Sequence, residues 1–182
     1  MRDIDAFHSK KRRCALKLAA LTFVRPGELC RAEWAEFELD AAIWRIPAGK
    51  MKMKRSHIVP LAMQTLEVLR ELRTLTGQWR WLFPSRYNPE KSMQTVVLNT
   101  ALRRLGYGPE VITAHGFRAM AATLLSEQGW QSEVIERQLA HVDQNQVRAA
   151  YQRSELLPER RRIMQAWADY LDMRCARAIL GK

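Results

Sequence analysis

Helical patterns of apolar residues occupy most of this sequence, and a single pair of short β-like segments interrupts them. The first pattern covers 6–23, where apolar residues recur at helical spacing among the basic residues of 10–13. Pro26-Gly27-Glu28 then interrupts the helix and begins a second one, because proline and a carboxylate both suit a first helical turn. This second helix is predicted to continue to Phe37. The carboxylates of Glu33, Glu36 and Glu38 are expected on the solvent face of a helix.

The β-like segments cover 42–47 and 56–61, and the polar, lysine-rich stretch between them predicts a hairpin. Helical patterns resume after the hairpin, separated by turns that contain glycine and proline. These patterns cover 64–76, 92–105, 117–128, 131–139, 145–151 and 158–180. The predicted fold class is therefore mainly α with a small antiparallel β-sheet.

The size of the chain, 182 residues and 21.2 kDa, suits one domain with a substantial core. No apolar run reaches the roughly 18 residues of a membrane span, and the first residues lack a signal-peptide pattern. The three cysteines are scattered and form no CxxC pair. This pattern argues against a disulfide framework or a zinc site and predicts a reducing, cytoplasmic location.

The charge balance points to a polyanionic partner. Lysine and arginine total 30 against 19 acidic residues, so the net charge is +11 and the sequence pI is near 10.1. Such an excess favours nucleic acid, since binding there draws on phosphate neutralisation. A solvated basic surface, or a protein that adheres to ribosomes or membranes, is the alternative.

Familiar catalytic motifs are absent. The sequence contains no GxxxxGK[ST], GxGxxG, HExxH or GxSxG, and its carboxylates are too dispersed for a two-metal nuclease. We therefore predict neither a cofactor nor a metal site. Any phosphate chemistry must rely on cationic side chains.

Four segments supply such cations. Arg25 lies at the predicted helix junction, with Glu28 three residues on to orient its guanidinium. The hairpin connection forms a basic stretch at 50–55, and His115 and Arg118 share one face at a helix start, where an anion is also favoured. The fourth segment, 139–153, contains His141 and, close to its end, Tyr151. Each feature alone is also compatible with an ordinary structural role, as a capping cation, a solubilising hairpin tip or an aromatic side chain packed in the core.

Taken together, the order Arg, Lys, HxxR, His and Tyr resembles the tyrosine recombinase (phage integrase) family, in particular its prophage and genomic-island branch, over about residues 10–170. The matching positions are Arg25 in TxxRxxEL, Lys52 in the hairpin, His115 and Arg118 in HxxR, His141 in LxH, and Tyr151 ten residues later. Lys50 and Lys54 lie two residues from Lys52 and remain alternatives for the hairpin position. The sequence departs from the family at Phe23, where many relatives have glycine, and at Gly116-Phe117, where x-Leu is more usual.

The resemblance implies the tyrosine recombinase catalytic-domain fold and a definite chemistry. Tyr151 attacks a DNA phosphodiester and forms a 3′-phosphotyrosyl bond, and this covalent link lets strand exchange and resealing proceed without ATP or metal. Arg25, Arg118 and His141 stabilise the charge on the non-bridging oxygens. The resemblance makes His115 the base.

The remaining predicted roles concern the hairpin and the helix junction. Lys52 protonates the departing 5′-oxygen, and Glu28 supports Arg25. The predicted DNA-binding residues of the hairpin are Lys50, Lys54 and Arg55.

At the level of the whole protein, residues 1–182 are expected to form a single C-terminal catalytic domain, without the family's N-terminal core-binding and arm-binding domains. The expected partner is double-stranded DNA at attachment sites, bound by a homotetramer in the synaptic complex and by a monomer of the isolated domain. The predicted location is cytoplasmic, on the nucleoid when DNA is bound. Two alternatives stay open: a type IB topoisomerase-like enzyme that relaxes DNA, and a non-catalytic basic DNA-binding module.

Overall fold

The computed structural model of the protein describes residues 1–51, 54–140 and 156–180, and side chains as far as residue 177. Within these ranges the helices are α1 (Arg2–Asp5), α2 (Lys10–Thr22), α3 (Pro26–Cys30), α4 (Met63–Thr76), α5 (Val96–Arg104), α6 (Gly116–Glu127), α7 (Ser132–Gln138) and α8 (Leu157–Leu180). The strands are β1 (Phe37–Glu38), β2 (Ile43–Ile46) and β3 (His57–Pro60). The predicted fold class, mainly α with a small antiparallel sheet, is confirmed.

Helix α2 forms the centre of the core. Every residue from Cys14 to Thr22 is buried except Lys17, because α4, α5, α6 and α8 all pack around this helix. An α-helix surrounded by others must be apolar on most sides, and the Ala- and Leu-rich sequence of α2 meets that requirement. The C-terminal end of α2 therefore lies on a rigid support.

The predicted helix over 26–37 is wrong beyond Cys30. Helix α3 ends there, a 3₁₀ turn covers Trp34–Glu36, and the chain continues as strand β1. The reason is tertiary: the Phe37 ring stacks on Trp44 of the neighbouring strand with centroids 5.0 Å apart, which requires an extended chain at this point. Glu33 and Glu36 consequently turn inward instead of forming a solvent face.

The predicted hairpin is confirmed, and β1 extends it to a sheet of order β1-β2-β3. Strands β2 and β3 are antiparallel, with Trp44 opposite Val59 and Ile46 opposite His57. The alternation of the pleat directs Trp44 and Ile46 into the core. The register thereby brings the start of β3 towards the interior.

The later helices follow the predicted pattern with small shifts at their ends. The segment predicted as helix from 92 begins only at Val96, because Ser92 pairs with Pro84 in an isolated β-bridge. The predicted helix at 145–151 lies outside the described residues. Nowhere in the described ranges does a helix have the length and apolar character needed to cross a membrane.

Helix α8 packs against the same chain. The Ile163, Met164 and Trp167 side chains have no exposed surface, and the Trp167 indole N–H donates to the Ala20 carbonyl oxygen at 2.9 Å. The Phe23 ring meets the Trp167 ring edge-on, with centroids 6.1 Å apart. The apolar stripe formed by Ile163, Met164 and Trp167 is thus a face that α8 buries on α2.

Candidate active site

Arg25 stands at the sharp junction between α2 and α3. Phe23 closes α2 in the left-handed region, at φ 40°, and this turn makes Arg25 the N-cap residue of α3, directly before Pro26. The buried Glu28 carboxylate accepts one hydrogen bond from the Arg25 backbone N–H at 3.0 Å and another from Nη1 at 2.9 Å. The first bond holds the backbone of the turn, and the second orients the guanidinium of a side chain that remains 26% exposed. The positive φ is a conformation that glycine adopts readily, so the glycine that the resemblance implies at the Phe23 position would fit here as well.

Arg118 approaches the same junction from α6. Its buried guanidinium donates from Nη1 to the Phe23 carbonyl oxygen at 3.2 Å and from Nη2 to the Leu139 carbonyl oxygen. Burial and the nearby charge of Arg25 lower the pKa of Arg118 to about 10, so the guanidinium is still charged at neutral pH. The structure therefore brings Arg118 to Arg25 and Glu28, although about 90 residues separate them in the sequence.

The Arg25 and Arg118 guanidinium groups carry like charges close together, and the Glu28 and Glu136 carboxylates offset part of their repulsion. The Arg160 guanidinium adds a third positive charge to this part of the interior, so positive charge is in local excess. Such a site gains free energy when an anion enters, since an opposite charge favours both charged forms. The planar forks of two arginines suit the non-bridging oxygens of a phosphate.

His115 occupies the N-cap position of α6 and is exposed. The chain before it is held by Asn99, whose side-chain oxygen accepts from the Ala114 N–H at 2.8 Å, and by Thr113, which accepts from the Gly116 N–H. Its own carbonyl oxygen accepts from the Arg118 N–H at 3.1 Å. Of the HxxR pair, Arg118 thus points into the interior while His115 remains at the surface.

Lys50, at the base of the hairpin connection, is held by three acceptors. Its ammonium donates to the Arg31 carbonyl oxygen at 2.8 Å, to Glu33 at 2.7 Å and to Glu36, and it lies 5.4 Å from the centroid of the Trp81 ring. An ammonium has three N–H donors, so this environment satisfies all of them. The geometry favours a structural role for Lys50.

The acidic partners of Lys50 are themselves held in place. Glu33 also accepts from Arg80, at 2.9 and 3.0 Å, and hydrogen bonds from Arg80 and Lys50 lower the pKa of Glu33 to about 2. Glu36 accepts from the buried Trp44 indole N–H at 2.9 Å. This ionic cluster therefore fastens the start of the hairpin connection, at Lys50, to the segment that precedes β1.

The rest of the hairpin connection differs from Lys50. Met51 is buried, whereas Lys54 and Arg55 are exposed, with Lys54 in the left-handed region at φ 50°. Lys52 lies outside the described residues, as do His141 and Tyr151. The DNA-binding role of Lys54 and Arg55 stays a prediction.

A buried polar group that was not predicted from the sequence lies beside the two arginines. His57, at the start of β3, donates from Nε2 to the Gln138 carbonyl oxygen at 3.1 Å. Arg160, in the first turn of α8, has no exposed surface; it donates from Nε to the Gln138 side-chain oxygen at 3.0 Å and from Nη2 to the Ile58 carbonyl oxygen. We call His57, Gln138 and Arg160 the buried polar triad.

The environment of His57 is strongly positive. Burial, followed by the charges of Arg160, Arg118 and Arg25, lowers the pKa of His57 to about 3. The imidazole is therefore neutral at neutral pH, and its proton must lie on Nε2, because a carbonyl oxygen can only accept. His57 thus acts as a fixed hydrogen-bond donor in the interior.

One member of the triad left a trace in the sequence. Arg160 falls three, four and seven residues before Ile163, Met164 and Trp167, so it shares the apolar stripe of α8 and is expected to be buried with it. His57 and Gln138 give no such signal, because the contact between β3 and the end of α7 is visible only in three dimensions.

The described residues offer little for a metal or a redox centre. Within 1–51, 54–140 and 156–180, His, Cys, Asp and Glu side chains form no group of three that could hold a metal ion. Cys14 and Cys30 are buried, and burial raises the pKa of these thiols to about 11 and 12, which makes them poor nucleophiles.

The fold is similar to the folds of solved phage integrases. The integrase from mycobacterium phage Brujita superposes with a TM-score of 0.68 at 16% identity, over 90% of this chain and 54% of that one. A lambda integrase dimer, residues 75–356, solved bound to a COC′ core site, gives 0.59 at 18% identity, over 78% and 54%. At these identities the likeness establishes the fold alone.

Sequence comparison is more specific. The Phage integrase family model matches residues 2–156, and the chain belongs to this family. Prophage integrase IntA of Escherichia coli K12 is 45% identical over 161 residues, and the integrase of Enterobacteria phage P4 is 47% identical over 176 residues. Each match covers 88% of this chain, and the chain spans 39% and 40% of the length of these two relatives. The predicted family and its prophage branch are confirmed.

Proposed function

We propose that this chain is the strand-cleaving and rejoining domain of a site-specific recombinase that acts on double-stranded DNA. The observation that carries the proposal is the meeting of Arg25 and Arg118 at one helix junction, braced by Glu28 and by two backbone carbonyls. The membership of the Phage integrase family supports it.

The two arginines bind the scissile phosphate through its non-bridging oxygens. Charge on these oxygens grows in the transition state, so donors already oriented by Glu28, Phe23 and Leu139 stabilise it without reorganising. Loss of one such donor typically slows a reaction about 10²–10³-fold. His141 donates a further hydrogen bond to the same oxygens.

The bond changes balance without an external energy source. The Tyr151 hydroxyl oxygen bonds to phosphorus, the bond from phosphorus to the 5′-oxygen breaks, and a 3′-phosphotyrosyl link remains. His115 accepts the Tyr151 proton, and Lys52 gives a proton to the departing 5′-oxygen. Attack by a 5′-hydroxyl on the phosphotyrosine reverses each change and reseals a strand.

Lys52 is the hairpin lysine that we assign as the acid. The three acceptors around the Lys50 ammonium support this choice, because a side chain committed to Glu33, Glu36 and Arg31 is not available to a 5′-oxygen. Lys54 remains the alternative, and with Arg55 it is assigned to the DNA backbone.

The larger assembly is also part of the proposal. Residues 1–182 form one C-terminal catalytic domain that binds attachment-site DNA and joins a homotetramer in the synaptic complex, and its DNA substrate places it on the nucleoid in the cytoplasm. The lambda integrase solved as a dimer on a core site lends support to DNA as the partner. The net charge of +11 supports the same partner.

Covalent capture on nicked DNA tests the activity. The protein is incubated with a duplex that is nicked just beyond the scissile phosphate. After cleavage the short 5′-hydroxyl strand dissociates, so resealing is prevented and the phosphotyrosyl protein is trapped as an SDS-stable adduct. Tyr151→Phe must abolish the adduct on every duplex. Tyr87→Phe is the matched control, because Tyr87 is 93% exposed on a surface loop, and it must form adduct at the wild-type rate.

Three results would count against the proposal. Absence of any adduct from the wild-type chain favours a non-catalytic DNA-binding module. An adduct that persists in Tyr151→Phe shows that another nucleophile acts. Relaxation of supercoiled plasmid without exchange between attachment sites favours the topoisomerase-like alternative.

A further inference from the structure

Arg160 is a cation without any exposed surface, in a helix that otherwise buries apolar side chains. Taking a guanidinium out of water is costly unless hydrogen bonds replace its hydration. Two of its bonds reach the Gln138 side chain in α7 and the Ile58 carbonyl oxygen in β3. Arg160 therefore joins three elements at one point.

Each of these elements continues into a segment that carries a proposed catalytic residue. Strand β3 begins at His57, five residues after Lys52, and α7 ends at Gln138, three residues before His141. Arg160 itself lies nine residues after Tyr151. In the sequence, each member of the buried polar triad is thus within nine residues of a proposed catalytic residue: Lys52, His141 or Tyr151.

The end of α7 is held from two sides. The Gln138 carbonyl oxygen accepts from His57, and the next carbonyl oxygen, that of Leu139, accepts from Arg118. Ala140 then turns the chain in the left-handed region, at φ 50°. Donors at the last carbonyls of a helix fix where the following residues begin.

The partners of Arg160 named above are neutral, and its burial keeps it from any DNA phosphate. A buried charge of this kind is weak evidence for stability, since apolar residues often fill such a place as well. The guanidinium instead fixes the orientation of its partners, because its planar fork donates to Gln138 and to Ile58 at set angles.

We propose that Arg160 is a positioning residue of the active site, which acts through Gln138 and through the first residues of β3 to hold the segments next to His141 and Lys52. The proposal rests on the proposed recombinase function. His57 performs the same task from the β3 side, through its bond to the Gln138 carbonyl oxygen.

The test measures single-turnover adduct formation by the full chain on two nicked duplexes, one with the natural 5′-bridging oxygen and one with sulfur in its place. A sulfur leaving group needs little protonation, so the ratio of the sulfur rate to the oxygen rate reports how well the acid is placed. Loss of folded protein lowers both rates equally and leaves this ratio unchanged. The ratio therefore separates positioning from simple destabilisation.

Arg160→Met should slow cleavage of the oxygen duplex about 10–100-fold, as is typical when a positioning contact is lost. Its sulfur-to-oxygen ratio should rise about tenfold, with DNA affinity unchanged. Arg160→Lys should behave like Arg160→Met, because an ammonium cannot reproduce the planar fork. Arg162→Met, an exposed arginine of the same helix, is the matched control and should match the wild type.

The pair His57→Leu and His57→Gln decides the matter if Arg160→Met does not fold. His57→Leu removes the donor to Gln138 and should raise the ratio, whereas His57→Gln keeps an N–H donor and should recover most of the cleavage rate. A wild-type rate in the folded Arg160→Met variant, or equal losses on both duplexes, overturns the inference and leaves the proposed function intact. No adduct from the wild-type chain overturns both.

Discussion

Replacing Lys50 with methionine separates the structural lysine of the hairpin from the proposed acid. The change removes the ammonium from Glu36, which is only 8% exposed, and from Glu33, which keeps Arg80. Removing one partner of a fully buried ion pair costs about 3–5 kcal/mol. Since the Lys50 side chain is 20% exposed and Glu33 retains a cation, we expect about 2–3 kcal/mol, scaled down from that range.

Thermal unfolding followed by circular dichroism measures this loss. For a chain of this size it corresponds to a decrease in Tm of roughly 4–12 °C. The double variant Lys50→Met/Glu36→Gln should recover part of the loss, because the buried carboxylate is no longer left without its cation. Lys54→Met, at an exposed position, should leave Tm within about 2 °C.

Lys50→Met and Lys52→Ala are then compared in cleavage, well below the Tm of either variant. Lys52→Ala should lose about 10²–10⁴-fold on the oxygen duplex and recover on the sulfur duplex. Lys50→Met should lose less than about tenfold and show correspondingly little recovery. An unchanged Tm for Lys50→Met, together with a hundredfold sulfur recovery, would falsify this reasoning and make Lys50 the acid.

Three further predictions follow from single features of the structure. Because the pKa of His57 is about 3 when folded and 6.5 when unfolded, the unfolded chain takes up the proton first as the pH falls. The free energy of unfolding should therefore fall by up to roughly 1.4 kcal/mol per pH unit between pH 6.5 and 4.5, and urea titrations of His57→Gln should lack this slope. Adduct formation should be undiminished in EDTA, since Arg25 and Arg118 carry the phosphate charge; dependence on added magnesium would contradict this. Trp167→Ala should destabilise the chain by about 3–5 kcal/mol in urea titrations, because a fully buried indole that bonds the Ala20 carbonyl is lost; a wild-type midpoint would place α8 elsewhere.

Much of the fold could be read from the sequence because its signals are local. The apolar periodicity of α2, α4 and α8 and the hairpin of β2 and β3 are properties of neighbouring residues. The segment after Cys30 could not be predicted in this way. Its carboxylates have a helical spacing, but the Phe37–Trp44 stack and the burial of Glu36 against Lys50 favour an extended chain.

The candidate site divides along the same line. By itself, the sequence determined the helix break at Pro26, the HxxR spacing of His115 and Arg118, and the basic hairpin, because each is a pattern within a few residues. Only the tertiary structure decided that Arg118 reaches the carbonyl of Phe23, that Lys50 is enclosed by acceptors, and that His57, Gln138 and Arg160 meet. Each of these hydrogen bonds joins residues at least 14 positions apart in the chain. A bond of that kind depends on how α2, α6, α7, α8 and the sheet pack, which no local spacing encodes.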